Sequence, residues 1–521
     1  PGHWFTGGKS DRAWLASLLV ALWGWTLIRC AGQIRLAFYR LERRRDESYA
    51  NGVLSMNDLL TLSFRPDITL TVEPEQLVLR SPQHSLTLEQ PELGLKAALE
   101  HLKHSALTLS QLMAVVAELD GLEAADLFAT ELQKLIHLGW ICHSVFPLAT
   151  AIPIAEHYQF KQPDANWQLQ PLRLSRFAYL HGEHQQLILE SPRSQSKIIL
   201  IDWRVAGFIA KLAQLQLEFS VDDFADTQIK ADAIQALLQL LIATEMIDVE
   251  PEDSTISQWK FHNLLFHRQT RLTRLDNSHQ STIPIFEERD RYPIVKSPMR
   301  DRAISLDKPD LIALSQSDMS LTQAIETRQS IREYADPPIT LQQLAEFLYR
   351  TARVKEVYTL EEDPMQIGEC TKRPYPSGGA LYELEVYAVV SQCTGLDAGL
   401  YHYQPLSHAL HPLADFNPEV EALIYDAWKA TGQQHIPQVL FIITARFGRL
   451  YWKYHDIAYG LILKHIGVLY QTFYLVATAM QLAPSAIGGG NSEQFCNVVG
   501  LNPYEESSVG EFSLGSLTVK R

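Results

Sequence analysis

At 521 residues the chain is longer than one hydrophobic core ordinarily supports, so two or three domains are expected. A formal net charge of −15, with 46% hydrophobic and 20% charged residues, describes a globular protein and argues against one that grips nucleic-acid phosphates. Five cysteines (Cys30, Cys142, Cys370, Cys393 and Cys496) lie too far apart for metal-ligand spacing. So sparse and odd a set predicts a cytoplasmic, reducing setting and no metal.

In chain order, the first feature is Trp14–Ile28 (WLASLLVALWGWTLI), an uncharged stretch flanked by Arg12 and Arg29. It is shorter than the ~20 residues that span a bilayer, and a signal-peptide core has the same look. The first methionine is Met56, immediately before a well-patterned segment. Residues 1–55 are therefore read as an N-terminal extension outside the working fold, with a buried helix or a membrane-associated anchor as alternatives.

A repeat follows. Gln76–Pro82 (QLVLRSP) and Gln186–Pro192 (QLILESP) lie 110 positions apart, and each reads as a half-buried strand stopped by Ser-Pro. A short strand follows each, Ser85–Leu88 and Lys197–Ile201. Helical patterns come next, Leu93–Leu102 and Trp203–Leu215. Each copy closes with a helix and a short apolar strand, Leu132–Cys142 and Leu237–Val249. This order predicts two tandem winged-helix-like modules, residues 56–150 and 151–260. From Met56 to Lys260 acidic residues outnumber basic ones by about two to one, so neither copy has a helix suited to DNA. Strand addition of a peptide at the wing's sheet edge suits that charge better.

Residues 261–317 read as a linker or arm, and regular structure resumes over 318–521. There, Thr327-Arg328-Gln329-Ser330-Ile331-Arg332-Glu333-Tyr334 precedes Thr340, which can cap a helix over Leu341–Tyr349. Extended Arg-x-Ser-x-Arg turns two guanidinium groups and a hydroxyl to one side, which suits a phosphate. On spacing alone a solvated charged turn remains open. Next, Arg373-Pro374-Tyr375-Pro376-Ser377-Gly378-Gly379-Ala380-Leu381-Tyr382 leads into a strand, Leu384–Val390. Its glycines let a flat ring approach the backbone, although a plain turn reads equally well. Finally Tyr451–Leu482 is patterned as one long helix, ending before Gly488 and Gly489. It would place Lys453 and Tyr454 in its first turn, where the dipole disfavours a protonated lysine and makes Lys453 a candidate base. A surface lysine is the bland alternative.

Taken together, TRQSIREY, RPYPSGGALYELEVY, AGLYHY and WKYHDIAYG, in this order over about 200 residues, resemble the nitroreductase superfamily. Within it they resemble the SagB-type dehydrogenases, the azoline oxidases, and most of all the cyanobactin oxidases, which carry paired peptide-clamp modules before the flavin domain. The resemblance covers residues 56–521. It implies an α+β chain in which a C-terminal nitroreductase-like FMN domain follows two tandem winged-helix-like peptide-clamp modules. It also implies FMN contacts from Arg328, Ser330 and Arg332, from Ser377, Gly378 and Gly379, and from Gly488 and Gly489, with Lys520 and Arg521 able to reach the phosphate. Lys453 and Tyr454 match a catalytic Lys-Tyr pair. One departure is Tyr382-Glu383, where many relatives have Tyr-Pro, which removes a φ constraint from that loop.

The activity so implied is oxidation of thiazoline and oxazoline rings to thiazoles and oxazoles in a heterocyclised precursor peptide, with oxygen restoring the flavin. The expected partners are that peptide, its leader held by the tandem modules, a second copy in a homodimer, and the cyclodehydratase of the same pathway. The rival readings are an NAD(P)H-dependent nitroreductase or quinone reductase, and a non-catalytic peptide-binding protein with a degenerate flavin fold. No G-x-G-x-x-G opening a βαβ unit calls for a nicotinamide.

Overall fold

The computed structural model describes residues 59–73, 75–82, 84–104, 106–155, 157–163, 167, 172–214, 221–248, 254–271, 292–362 and 368–518. The N-terminal extension, with Trp14–Ile28, and the terminal Lys520 and Arg521 lie outside them. The chain divides into two compact units, Pro1–Asp276 and Asn277–Arg521.

The first unit contains both copies of the repeat. The first copy runs β1 (Thr61–Phe64), β2 (Thr69–Val72), β3 (Gln76–Arg80), β4 (Ser85–Glu89), α1 (Leu93–His104), β5 (Leu107–Thr108), α2 (Leu109–Asp120), α3 (Leu122–His137) and β6 (Ile141–Val145). After β7 (Ala149–Pro153) the second copy runs β8 (Arg173–Leu174), β9 (Tyr179–Glu183), β10 (Gln186–Glu190), β11 (Ser196–Leu200), α4 (Trp203–Leu212), α5 (Ala231–Ala243) and β12 (Ile247–Asp248). The repeated heptapeptides supply the central strands, β3 of β2-β3-β4 and β10 of β9-β10-β11.

Sequence chemistry explains each piece. Leu77 and Leu79 alternate inward from β3 and are completely buried, beside Leu99 and Leu102 of α1. Thr108 opens α2 with a capping box, its hydroxyl accepting from the Gln111 amide while Gln111 Oε1 accepts from its own. Asp202 caps α4 in the second copy. The copies differ in one respect. A 3₁₀ segment, Val221–Thr227, stands where the first copy has α2.

They also differ in their sheet edges. In the second copy β11 is covered by β7, antiparallel, from Ser196 opposite Pro153 to Leu200 opposite Ala149. Through that strand both copies share one seven-stranded sheet, in the order β5-β1-β6-β7-β11-β10-β9. The first copy's β2-β3-β4 stands apart, and among the described residues nothing pairs with the outer edge of β4.

The second unit is built on another antiparallel seven-stranded sheet, β13-β18-β17-β16-β19-β21-β20. Its strands are β13 (Ile304–Ser305), β16 (Leu384–Val390), β17 (Gly399–Gln404), β18 (Ala409–Asp415), β19 (Val439–Arg446), β20 (Leu482–Ile487) and β21 (Glu506–Ser516), and β14 (Glu356–Thr359) pairs separately with β15 (Glu369–Lys372). Numbering helices onward from α5, α6 is Phe261–Gln269, α7 Leu311–Ser317, α8 Leu321–Thr327, α9 Leu341–Ala352, α10 Pro418–Ala430, α11 Gly448–Tyr454, α12 Ala458–Ala479 and α13 Ser492–Val499.

β16 is buried throughout because both its faces are covered, and its one charged residue, Glu385, is paired with Arg446 and His402. Val386, Ala388 and Val390 face α9 and α12, whereas Tyr387 and Val389 face α10 and α13. Thr340 does cap α9, in a capping box with Gln343. The stretch Gly448–Ala479 is apolar and long enough to cross a membrane, yet Ile462, Leu469, Phe473 and Ala477 are wholly buried against the sheet.

Two sequence expectations need correction. The long helix expected over Tyr451–Leu482 is broken by a 3₁₀ turn at His455–Ile457, where His455 has φ +42°. Its last residue, Leu482, already belongs to β20. Residues 292–300, inside the stretch read as a linker or arm, are anchored to their own sheet. Arg449, Arg446, Gln404 and His411 bond the carbonyls of Tyr292, Pro293, Lys296 and Arg300 at 2.7–3.0 Å. Lys296 Nζ lies 2.6 Å from Glu506 and 2.8 Å from the Tyr387 hydroxyl. These polar side chains are buried or nearly so, and the irregular segment's unpaired carbonyls satisfy them.

Candidate active site

The first site cluster is built where the Arg-x-Ser-x-Arg segment leaves α8. That helix starts in a Ser320–Gln323 capping box and ends at Arg328, which has extended ψ. The segment then runs beside β20 and β21. The Ile331 amide donates to Pro484 O at 2.8 Å and the Ala335 amide to Ser516 O at 3.1 Å. Proline is tolerated in β20 because that strand is the sheet edge.

Tyr474 of α12 is the hub. Its hydroxyl accepts from the Ala486 amide at 2.8 Å and lies 2.7 Å from Ser330 Oγ. The Arg328 guanidinium sits 5.2 Å from the same ring's centroid. Arg328 and Arg332 are half-buried, and among the described residues neither has a carboxylate within ion-pair distance. The Arg328 guanidinium and the Ser330 hydroxyl, gathered at Tyr474 with no carboxylate partner for Arg328 among the described residues, can take a phosphate.

Gly488 and Gly489 follow β20 and are exposed. A Cβ on either would meet nothing within 4 Å, so no crowding demands glycine there. Gly490 was not singled out from sequence, yet its Cβ would come within 2.1 Å of the Glu511 carboxylate.

The second cluster joins the two other motifs. Ser377, Gly378 and Gly379 form a tight turn in which Gly379 has φ +60°, the left-handed conformation that favours glycine. A Cβ on Gly379 would lie 2.7 Å from Lys453 Nζ and 3.1 Å from Tyr454 Oη. One on Gly378 would lie 3.4 Å from the Tyr454 ring and 3.5 Å from His465. The Ser-Gly-Gly turn thus lies directly against the Lys-Tyr pair, although some 75 residues separate them in sequence.

Lys453 is placed differently from expectation. It occupies the last turn of the seven-residue α11, not the first turn of a long helix. Carbonyl ends of helices favour cations, so the dipole gives Lys453 no reason to be neutral. Burial, and secondly the Glu383 carboxylate, push the Tyr454 phenol above its usual range, which keeps its proton in place.

Two residues missed from sequence complete this cluster. The Gly378 amide donates to His465 Nε2 at 2.9 Å, and His465 Nδ1 lies 2.6 Å from Glu383 Oε1. Ser377 Oγ donates to Glu383 Oε2 at 3.2 Å and accepts from the Tyr382 amide at 3.1 Å. Glu383 is the residue standing where the loop departs from Tyr-Pro, and it is completely buried. That departure was the available signal.

Both clusters hang on α12, but at different places. His465 and Tyr474 are nine residues apart, roughly 13 Å along a helix axis. On one chain the phosphate-type cluster and the Lys-Tyr cluster are therefore separate groupings.

Three family models match successive parts of the chain. Residues 56–162 match the family described as the ThcOx helix turn helix domain, residues 172–276 that described as cyanobactin oxidase ThcOx, and residues 325–516 the nitroreductase family. The microcin B17-processing protein McbC of Escherichia coli is 38% identical over 117 residues, 21% of this chain and 42% of its own length. The trifolitoxin-processing protein TfxB of Rhizobium leguminosarum bv. trifolii is 28% identical over 148 residues, 28% of this chain and 40% of its own. A protein of Methanocaldococcus jannaschii named as a nitroreductase is 25% identical over 190 residues, 36% of this chain and 87% of its own. The chain therefore spans less than half the length of the two peptide-processing relatives. A ThcOx helix-turn-helix domain, a cyanobactin oxidase ThcOx domain and a nitroreductase-family oxidoreductase domain thus follow one another along the chain.

Proposed function

We propose that this enzyme dehydrogenates thiazoline and oxazoline rings of a ribosomally made precursor peptide to thiazoles and oxazoles, using FMN. The observation that carries the reading is the contact of Lys453 and Tyr454 with the Ser377-Gly378-Gly379 turn. FMN, when bound, accepts the hydride equivalent that the ring gives up, and oxygen restores it. Arg328, Arg332 and Ser330 would hold its phosphate and polar chain, Ser377, Gly378 and Gly379 would line its ring, and Gly488 and Gly489 would add backbone contacts.

The chain's own side chains do the rest. Lys453 takes the ring proton, and Tyr454, protonated, orients the ring by donating a hydrogen bond. As in the family that the chain resembles, we place the working site between two copies, as a homodimer. The substrate reaches it already cyclised by the pathway's cyclodehydratase. The thiols of Cys142, Cys370, Cys393 and Cys496 are free, in keeping with a cytoplasmic setting. Incubating a heterocyclised peptide with the enzyme in air is expected to remove the mass of two hydrogens per ring. An unchanged peptide mass with a fully flavinylated protein would reject the activity.

The repeat also bears on how the peptide is held. In the second copy the edge of β11 is occupied by β7, whereas the equivalent edge of β4 is open among the described residues. The first module is therefore the one that takes the leader, as an added strand. Leader-bearing peptide is expected to slow amide exchange over Ser85–Glu89 and to leave Ser196–Leu200 unchanged. Protection confined to Ser196–Leu200 would sink this assignment.

A further inference from the structure

We propose that Glu383 and His465 are positioning residues for this reaction, a carboxylate and an imidazole that hold the Ser-Gly-Gly turn against Lys453 and Tyr454. The proposal rests on the reading that those two residues handle the ring proton.

The argument begins with one backbone hydrogen. The Gly378 amide donates to His465 Nε2 at 2.9 Å, so that nitrogen presents a lone pair. The ring proton of a neutral imidazole then sits on Nδ1, 2.6 Å from Glu383 Oε1. The other carboxylate oxygen accepts from Ser377 Oγ at 3.2 Å. Ser377, Glu383, His465 and Gly378 thus close a ring of polar contacts that returns to the next residue of the same turn. Glu383 is fully buried and His465 is 7% exposed, so water does not substitute for either partner at little cost.

This ring fixes the turn twice, once to Glu383, the residue leading into β16, and once to α12 through His465. Such anchoring matters because clearances are small. A single added carbon on Gly379 would already touch Lys453 Nζ at 2.7 Å. Productive constellations tolerate displacements of only about 0.5 Å. A turn freed from either anchor would alter the approach of the substrate ring to Nζ without removing any group that touches it.

The test combines nitrogen-15 NMR of labelled imidazoles in the wild-type holoenzyme with kinetics of variants. His465 is expected to show Nδ1 protonated and Nε2 bare. Glu383→Gln, whose amide oxygen can still accept from Nδ1 while its NH₂ donates to Ser377, is expected to keep that signature. His465→Ala is expected to lose about 100-fold in kcat, with KM and bound FMN unchanged, as misplacement at a distance does. A proton on Nε2 in the wild type would overturn the proposal, and that measurement needs no variant to fold. A normal kcat in His465→Ala, or a fall matched by an equal loss of FMN, would overturn it too. Lys453→Ala run in parallel keeps the two readings apart. Full activity there rejects the base assignment, whereas the imidazole signature reports on the anchor alone.

Discussion

Lys453→Ala is expected to keep its yellow FMN while forming azoles about 10²–10⁴-fold more slowly, the range lost with a positioned proton-transfer group. The expectation follows from geometry. A Cβ built on Gly379 would lie 2.7 Å from Nζ, which itself sits 5.4 Å from the Tyr454 ring centroid. Alanine removes the amine and leaves α11 intact, since alanine is the strongest helix former. The end of α11 favours a charged lysine, so the shift toward a neutral base has to come from water leaving as the peptide docks. Turnover of the unsubstituted enzyme should accordingly rise with pH, and Lys453→Ala should lack that rise. Mass spectrometry of the peptide over time checks the rate, and loss of hydrogens at the normal rate would reject the assignment.

Phe473→Ala is expected to cost about 3–5 kcal/mol, lowering the thermal transition of the catalytic unit by roughly 6–20 °C. Phe473 is completely buried in α12. Its ring centroid lies 5.0 Å from Phe347, 5.6 Å from Phe441 and 5.2 Å from Phe512, which tie α9, β19 and β21 to the helix. Edge-on contacts such as those to Phe347 and Phe512 add to simple burial. Because α12 also bears His465 and Tyr474, both clusters should loosen together, and FMN should be retained less well. Scanning calorimetry measures the transition, and a shift below about 2 °C would show that the cavity collapses without harm.

Much of this fold was legible because its signals are local. The repeated QLVLR and QLILE patterns alternate as strands do, and LEVYAVV is a short run rich in apolar and β-branched residues. The break at His455 was not legible. Apolar periodicity runs on through Tyr451–Ala479 with no proline to interrupt it, and the positive φ falls on a histidine. That single kink moved Lys453 from a helix start to a helix end. Glu383 and His465 were not legible as a pair for another reason. They are 82 residues apart, and a lone histidine on an apolar helix reads as packing. The glycine run misled in a similar way. Sequence drew attention to Gly488 and Gly489, whereas the tight approach is at Gly490, beneath a glutamate more than 20 residues onward.

Because β7 lies before the second copy yet completes its sheet, a fragment cut to begin after Pro153 would lose that strand. The edge of Ser196–Leu200, with its row of isoleucines and leucine, would be left bare and would invite self-association. Any dissection of the second module has to start upstream of Ala149, and a shorter fragment would report on stickiness rather than on recognition.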